Sequence, residues 1–226
     1  MTEQDSRLIK AIAVLGGTGK EGSALARRWA LNGYKVIIGS RTTEKAEATA
    51  AEMNEAMEGD YVTGMANEDA AEQAGLVVLS VPYGAHKATL ESVKDKLDGK
   101  ILVDVTVPIV PPDVSTATIP EGNSAAEEAQ ALLGDGVRVV SAFQNVSYVK
   151  IKNPDTYVDC DVLVAGDDDD AKDEVILLVE AAGMRGIDVG PLANAVVAEA
   201  LTPVLLYINK KYGAKGAGVR ITGVDK

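Results

Sequence analysis

Short apolar runs recur along the first half of the chain, and Ala-rich segments with helical periodicity separate them. The clearest runs cover residues 8–15, 34–38, 76–81 and 101–106. Several of these runs are continuous rather than alternating, which is typical of strands that are buried on both faces of a sheet. Strands that alternate with helices predict an α/β fold with a doubly wound parallel sheet.

Helix boundaries are marked by turn and capping residues. Gly33 ends a helix predicted from Lys20, and Ser124 with Glu127 forms a capping box for a helix that continues to Leu133. Asn67 is a candidate N-cap for a short helix. The remaining elements predicted in this half are a helix over 43–57, a short strand over 61–63 and a sixth strand over 138–142.

The pattern changes after Ala142, because residues 143–161 show no clean period. Further elements are predicted beyond this segment: strands over 162–165 and 187–189, a helix between 167 and 183, and a last apolar helix over 193–211. We therefore expect residues 1–142 to form the first domain. Residues 143–226 are expected to form a small C-terminal α/β domain, or to extend the same sheet and dock a helix on it.

A glycine motif lies between the first predicted strand and the first predicted helix. Gly17, Gly19 and Gly22 have the G-x-G-x-x-G spacing, and Thr18 and Lys20 lie within it. In this context the glycines permit a tight turn and a close approach of backbone N–H groups to a pyrophosphate, at the positive end of a helix dipole. The motif predicts a Rossmann-type dinucleotide site.

The end of the second strand indicates which dinucleotide binds. Enzymes that use NAD place a carboxylate there to bind the ribose hydroxyls. This chain has Ser40 and Arg41 after Gly39, with Lys45 one helical turn further on. A hydroxyl and two cations suit a ribose 2′-phosphate, to which an Arg side chain can form a planar fork. The sequence therefore predicts an NADP site.

Charge and cysteine content narrow the classes of partner. The 226-residue chain has a formal net charge of −12, which disfavours binding to nucleic acid or to anionic membranes. Cys160 is the single cysteine, so neither a disulfide framework nor a thiolate metal site is expected. The acidic run 167–170 is expected to complement a helix dipole rather than to bind a metal. No apolar run is expected to span a membrane, and we expect a cytoplasmic protein.

The chain resembles the NADPH-dependent deazaflavin reductases, the family of reduced coenzyme F420:NADP oxidoreductases, over nearly its full length. The later motifs fall outside the part that all dinucleotide-binding folds share, so they are the more specific ones. The segments that support the resemblance are 16–19, 39–41 with 45–46, 64–71, 139–142, 166–169, 188–192 and 201–203.

The resemblance implies a Rossmann domain with a small C-terminal domain, a homodimer, and hydride transfer between NADP(H) and the deazaflavin coenzyme F420. It also implies which residues contact each ligand group: Thr18, Gly19 and Lys20 the pyrophosphate; Ser40, Arg41 and Lys45 the 2′-phosphate; Val81, Pro82 and Ala142 the nicotinamide; and Gln144, Asn145 and Val146 the deazaflavin. The archaeal members tend to have His at the position of Gln144 and Pro at that of Ser147.

Such a reaction needs no catalytic acid or base, because each ligand carries its own hydride donor or acceptor carbon, and none is predicted. His86, the single histidine, is expected at a surface or capping position, the alternative being a cofactor contact. Glu21 is expected to turn outward, with Lys20 offsetting its charge.

Two other functions fit the same scaffold. One is an NADPH-dependent reductase that acts on an imine, a flavin or a metal chelate through an altered pocket over residues 144–148. The other is a non-catalytic module that binds NADP and senses its redox state. The apolar face of the last helix, with Leu201, Val204, Leu205 and Ile208, suits either core packing or a dimer contact.

Overall fold

A computed structural model describes residues 11–224, so Leu8 to Lys10 of the first predicted run lie outside the described residues. Eight strands form one sheet with the order β3-β2-β1-β4-β5-β6-β7-β8. Their bounds are β1 Ile12–Leu15, β2 Val36–Ser40, β3 Val62–Ala66, β4 Leu76–Leu79, β5 Ile101–Asp104, β6 Arg138–Ser141, β7 Asp161–Gly166 and β8 Arg185–Asp188.

Eight α-helices are found in the described residues: α1 Lys20–Leu31, α2 Thr43–Met57, α3 Asn67–Gln73, α4 Tyr83–Val93, α5 Ala125–Leu133, α6 Tyr148–Ile151, α7 Asp169–Ala181 and α8 Ala195–Tyr212. The N-cap half of the predicted capping box is present, because the side chain of Ser124 accepts a hydrogen bond from the backbone N–H of Glu127. The reciprocal half is not formed, because the backbone N–H of Ser124 donates to Gly122 O and the Glu127 carboxylate instead accepts from the Ser124 hydroxyl. Asp168 caps α7 as Ser124 caps α5. The predicted Rossmann-type α/β fold is confirmed.

Strands β1 to β6 are parallel, so their carboxyl ends lie at one edge of the sheet. The chain builds outward from β1 in one direction to β3, and then returns to the other side of β1 to form β4. This reversal creates a topological switch point between β1 and β4, where open α/β sheets bind ligands beyond the strand ends.

The sheet has an apolar cluster on each face. One includes Trp29 and Phe143, whose rings meet edge to face at 5.8 Å, and the other includes Leu90 and Leu102. Trp29 also donates a 2.9 Å hydrogen bond from Nε1 to the main-chain oxygen of Leu178 in α7. Cover on both faces explains why the strand sequences are continuously apolar.

The last two strands extend this sheet. β7 pairs antiparallel with β6, and β8 pairs parallel with β7. The buried Arg28 guanidinium ties α1 to this half, with hydrogen bonds from Nε to Ile151 O at 2.8 Å and from Nη1 to Ala182 O at 2.6 Å. Residues 161–188 therefore continue the first sheet, and a domain boundary at residue 142 stays a prediction.

The stretch Leu192–Tyr212, which includes α8, is long and apolar enough to cross a membrane by length and composition. The expectation that no apolar segment reaches this length is therefore wrong at this helix. A third of its most apolar 18-residue window is buried against the rest of the chain. Glu199 within it is buried and accepts hydrogen bonds from the N–H groups of Ala125 and Ala126 in α5. These contacts hold α8 as a packed element of the fold.

Candidate functional site

The turn between β1 and α1 requires glycine at its first two positions. Gly16 has a φ of +71°, and a Cβ atom placed there would lie 2.7 Å from Cγ1 of Val81. A Cβ on Gly17 would lie 2.6 Å from the main-chain oxygen of Val14. The turn is closed by a 2.9 Å hydrogen bond from Gly19 N to Gly16 O. This packing places the glycine turn against the end of β4, at the switch point.

The start of α1 presents backbone donors. Among residues 11–224, no hydrogen-bond acceptor is found for the N–H groups of Thr18, Lys20 and Glu21. Gly19 is exposed, and a Cβ on it would meet only Gly16 O, at 3.2 Å. Free N–H groups and the positive end of a helix dipole make this an anion-binding position. The arrangement fits the pyrophosphate of a dinucleotide.

Glu21 does not turn freely into solvent as expected. Its side chain is only partly exposed, and burial raises the pKa of its carboxyl to about 8. No cation pairs with it among the described residues. At neutral pH the carboxyl is therefore mainly uncharged, which limits its repulsion of an anion at the helix start.

Two cations lie free at the end of β2. Ser40 is the buried last residue of this strand, whereas Arg41 and Lys45 are exposed in the turn and in the first turn of α2. Within the described part of the chain, neither cationic side chain has a hydrogen-bond or ion-pair partner. The structure thus brings Ser40, Arg41 and Lys45 together beside the glycine turn, because β2 is the neighbour of β1.

On the other side of β1, the predicted nicotinamide residues follow β4 and β6. Val81 is half-buried and Pro82 is exposed immediately before α4. Ala142 is fully buried, and its N–H points to the main-chain oxygen of Asp104 at 3.3 Å. The residues predicted to bind the cofactor therefore lie along one edge of five adjacent strands, from Ser40 on β2 to Ala142 after β6. At the usual strand spacing this edge is roughly 19 Å long.

The predicted deazaflavin residues are buried in this chain. Gln144, Asn145 and Val146 are each less than 9% exposed. Gln144 Nε2 donates to Asp104 O at 2.7 Å, and Asn145 Nδ2 donates to Asp161 O at 2.6 Å. These side chains brace the loop from inside, so stacking of a ring directly on them stays a prediction.

His86 is buried, contrary to the expected surface or capping position. It is 2% exposed in the first turns of α4, and its Nε2 lies 2.6 Å from Oδ2 of Asp104 at the end of β5. Burial lowers the pKa of His86, but the hydrogen bond and charge of Asp104 outweigh it, with smaller contributions from Glu128 and Glu199. The net effect raises the pKa of His86 above its ordinary value, so the charged imidazolium is favoured.

Comparisons with known proteins agree with this geometry. A family profile described as NADP oxidoreductase coenzyme F420-dependent matches residues 11–108. An F420-dependent NADP reductase from Methanocaldococcus jannaschii is 43% identical, over 95% of this chain and 99% of that protein. The chain belongs to the F420-dependent NADP reductase family. The resemblance drawn from the sequence is therefore confirmed.

Two further members of the F420-dependent NADP reductase family support the assignment. The enzyme of that name from Methanothermobacter marburgensis is 44% identical, over 95% of this chain and 99% of its own length. A crystal structure from Arthrobacter sp. FB24, assigned as an F420-dependent NADP-reductase, superposes with a TM-score of 0.75. It is 30% identical and covers 90% of this chain and 95% of its own.

Sequence reasoning missed two buried polar residues at the carboxyl edge of the sheet. Asn67 was expected to cap a helix, but Ala66 holds that position and Asn67 makes no capping bond. Instead Asn67 is buried beside Gly39, and its Oδ1 has no partner among the described residues. Asp104, the partner of His86, was treated only as a strand residue. A polar residue at the end of a buried parallel strand was the available indication.

The described residues contain no group of three or more His, Cys, Asp or Glu side chains that could hold a metal ion. The acidic run at the start of α7 has the predicted structural role. Asp168 accepts a 2.7 Å hydrogen bond from the N–H of Ala171, and Asp169 begins the helix. The run therefore stabilises a helix N-terminus in this reductase.

Proposed function

We propose that this chain transfers a hydride between NADP(H) and coenzyme F420. The observation that supports this most directly is the order of features along one sheet edge: a cationic turn, an anion-binding helix start and the entrance to the second-substrate loop. This order occurs in a chain whose relatives named F420-dependent NADP reductase match it almost end to end. The chain is accordingly an NADP-dependent oxidoreductase.

The pyrophosphate and the 2′-phosphate of NADP are assigned to two separate sites. We assign the pyrophosphate to the backbone around Thr18, Gly19 and Lys20, where free N–H groups meet the positive end of α1. The 2′-phosphate is assigned to Ser40, Arg41 and Lys45. Arg41 and Lys45 suit this role because they have no competing partner among residues 11–224.

The nicotinamide is assigned to the gap between Val81–Pro82 and Ala142, and F420 to the adjoining cleft in front of the loop 144–146. When both are bound, the two rings would exchange the hydride in either direction, and the one proton that balances the reaction would be exchanged with solvent. The chain's own residues align the two ring faces and exclude water, which together account for much of the acceleration in such reactions. Gln144 and Asn145 support this by fixing the loop from within.

We further propose that the protein is a cytoplasmic homodimer that uses the outer face of α8. Val197, Val204 and Tyr207 are 60%, 44% and 52% exposed on that helix, although Leu205 is buried. A second copy of the chain would cover these apolar side chains by a two-fold contact. Sedimentation analysis should give twice the chain mass, and Val204→Glu should reduce it to that of one chain.

The test of function is a rapid-mixing experiment with NADPH and F420. Loss of the absorbance of NADPH and of oxidised F420 in equal molar amounts is expected, with Arg41→Ala slowed at the same NADPH concentration. If the enzyme reduced a flavin, an imine or a ferric chelate but not F420, then that compound, and not F420, would be the second substrate. Tight NADPH binding without turnover on any acceptor would favour an NADP-sensing module.

A further inference from the structure

A buried polar cluster lies between the nicotinamide side of the site and α8. At its centre are His86 and Asp104, with exposed fractions of 2% and 0%. The ring of Tyr83 stacks on the imidazole with centroids 6.2 Å apart. Each carboxylate oxygen of Asp104 has a partner. Oδ2 lies 2.6 Å from His86 Nε2, and Oδ1 accepts a 2.9 Å hydrogen bond from Thr106 N.

Two other carboxyl groups face this imidazole. Glu128 of α5 accepts a 3.0 Å hydrogen bond from the hydroxyl of Tyr83, and Glu199 of α8 accepts from two N–H groups at the start of α5. Burial raises the pKa of Glu199 to about 8 despite those two bonds. Within residues 11–224, His86 is thus the one basic group in this cluster, and it faces three carboxyl groups, which come from β5, α5 and α8.

The cluster is joined to the second-substrate loop by hydrogen bonds. The main-chain oxygen of Asp104 accepts from Gln144 Nε2 at 2.7 Å, and the main-chain oxygen of Gln144 accepts from Thr202 Oγ1 at 2.7 Å. Thr106 Oγ1 and Gln144 Oε1 are buried here without partners among the described residues. Gln144 Nε2 also donates to Ser141 Oγ at 2.9 Å. A movement of the Asp104 main chain would therefore be transmitted to the Gln144 side chain, which is tied to the ends of β5 and β6.

We propose that His86 and Asp104 are a protonation-dependent positioning pair for F420. The protonated imidazole holds the Asp104 carboxylate, and Asp104 in turn holds Gln144 and its loop in the conformation that accepts the second substrate. This inference rests on the proposed function. It assigns no contact between His86 and either ligand, so His86 acts through Gln144.

Loss of the proton from His86 places uncompensated negative charge in a buried cluster, and ionisation of Glu199 at higher pH adds to it. Buried charges without a partner are costly, so the cluster relaxes and the loop loosens. The expected consequence is a rise in the KM for F420 as pH rises through the pKa of His86. Below pH 8, where Glu21 stays uncharged, binding of NADP(H) should change little, because its phosphate groups are assigned to the start of α1 and the end of β2 rather than to the loop that Gln144 holds.

The single histidine makes the pair directly observable. In the untagged full chain, the one imidazole signal in a proton–carbon NMR spectrum reports His86, and it should titrate above the ordinary pKa of 6.5. The KM for F420, measured over the same pH series, should rise with a midpoint that matches the NMR titration. This wild-type measurement needs no variant to fold.

His86→Gln supplies the variant test, because Gln can still donate to Asp104 but cannot become charged. We expect the KM for F420 to rise about tenfold at low pH, because the variant keeps a hydrogen bond but loses the imidazolium charge that strengthens it, and the inflection to disappear. The dissociation constant for NADPH should stay within about twofold. Lys87→Gln, an exposed neighbour on α4, is the matched control and should keep the wild-type profile.

A histidine that titrates below 6.5, or a His86→Gln enzyme with the wild-type KM profile for F420, would overturn the positioning pair. Either result would leave the proposed function intact, provided that F420 is still reduced. Failure of the wild-type enzyme to reduce F420 would instead contradict the proposed function, whereas the NMR titration would still decide whether His86 is held in its charged form.

Discussion

The side-chain hydroxyl of Thr202 donates a 2.7 Å hydrogen bond to the main-chain oxygen of Gln144, which is 58 residues away in sequence. Through this bond α8 helps to position the loop assigned to the second substrate. Glu199, almost one helical turn earlier, fixes the same helix to α5. The C-terminal helix therefore shapes the site although none of its side chains is assigned to a ligand.

Replacing Thr202 by Val removes that donor at nearly constant shape. We expect a loss of stability of about 1 kcal/mol, typical of one buried hydrogen bond, and a several-fold rise in the KM for F420. Thr202→Ser keeps the hydroxyl and should retain the wild-type KM. Equal KM values for the Val and Ser variants, from steady-state assays, would show that the bond does not support the loop.

Gly19 allows the pyrophosphate assignment to be tested without disturbing the fold. Its φ of −77° is open to other residues, and an added Cβ meets only Gly16 O at 3.2 Å. Gly19→Val should therefore lower the melting temperature less than a substitution at Gly17 but weaken NADPH binding at least tenfold, since the side chain fills the approach to the free N–H groups.

The comparison variant is Gly17→Ala, whose Cβ would lie 2.6 Å from Val14 O and which should lower the melting temperature itself. Unchanged NADPH affinity in Gly19→Val, measured by fluorescence titration, would mean that the pyrophosphate lies elsewhere.

The raised pKa of the Glu21 carboxyl predicts that cofactor binding depends on pH. Because burial raises the pKa of this carboxyl to about 8, it is uncharged at lower pH and becomes an anion as pH rises through that value. The affinity for NADP should therefore fall above pH 8, where the carboxylate repels the nearby phosphates. Glu21→Gln should bind NADP equally well on both sides of pH 8. A wild-type affinity that is flat across this range would place Glu21 away from the cofactor.

Local sequence patterns were sufficient for most of the fold and for a proposal of which residues bind phosphate. The glycine turn, the helix caps and the buried parallel strands each depend on neighbours within a few residues, so Gly17, Ser124 and the run 76–79 could be interpreted from sequence alone. Arg41 and Lys45 could be proposed as ligands of the 2′-phosphate from sequence alone, because they are cationic and follow a predicted strand.

Contacts between distant elements could not be predicted in this way. The bond between His86 and Asp104 joins α4 to β5, and the burial of Gln144 depends on α8, which follows more than fifty residues later. Nothing in the local sequence of His86 indicates that it is buried. Asn67 was misassigned for the same reason, since its position beside Gly39 arises from the pairing of β2 with β3.

Titration calorimetry of wild-type protein and Arg41→Ala with both dinucleotides measures how strongly Arg41 selects NADP over NAD. Wild-type protein should bind NADP much more tightly than NAD. Arg41→Ala should lose about 1.5 to 3 kcal/mol of binding free energy for NADP, as expected for a hydrogen bond to a charged group, and almost none for NAD. Equal losses for the two dinucleotides, or wild-type protein that binds NAD as tightly as NADP, would contradict the selection of NADP by Arg41.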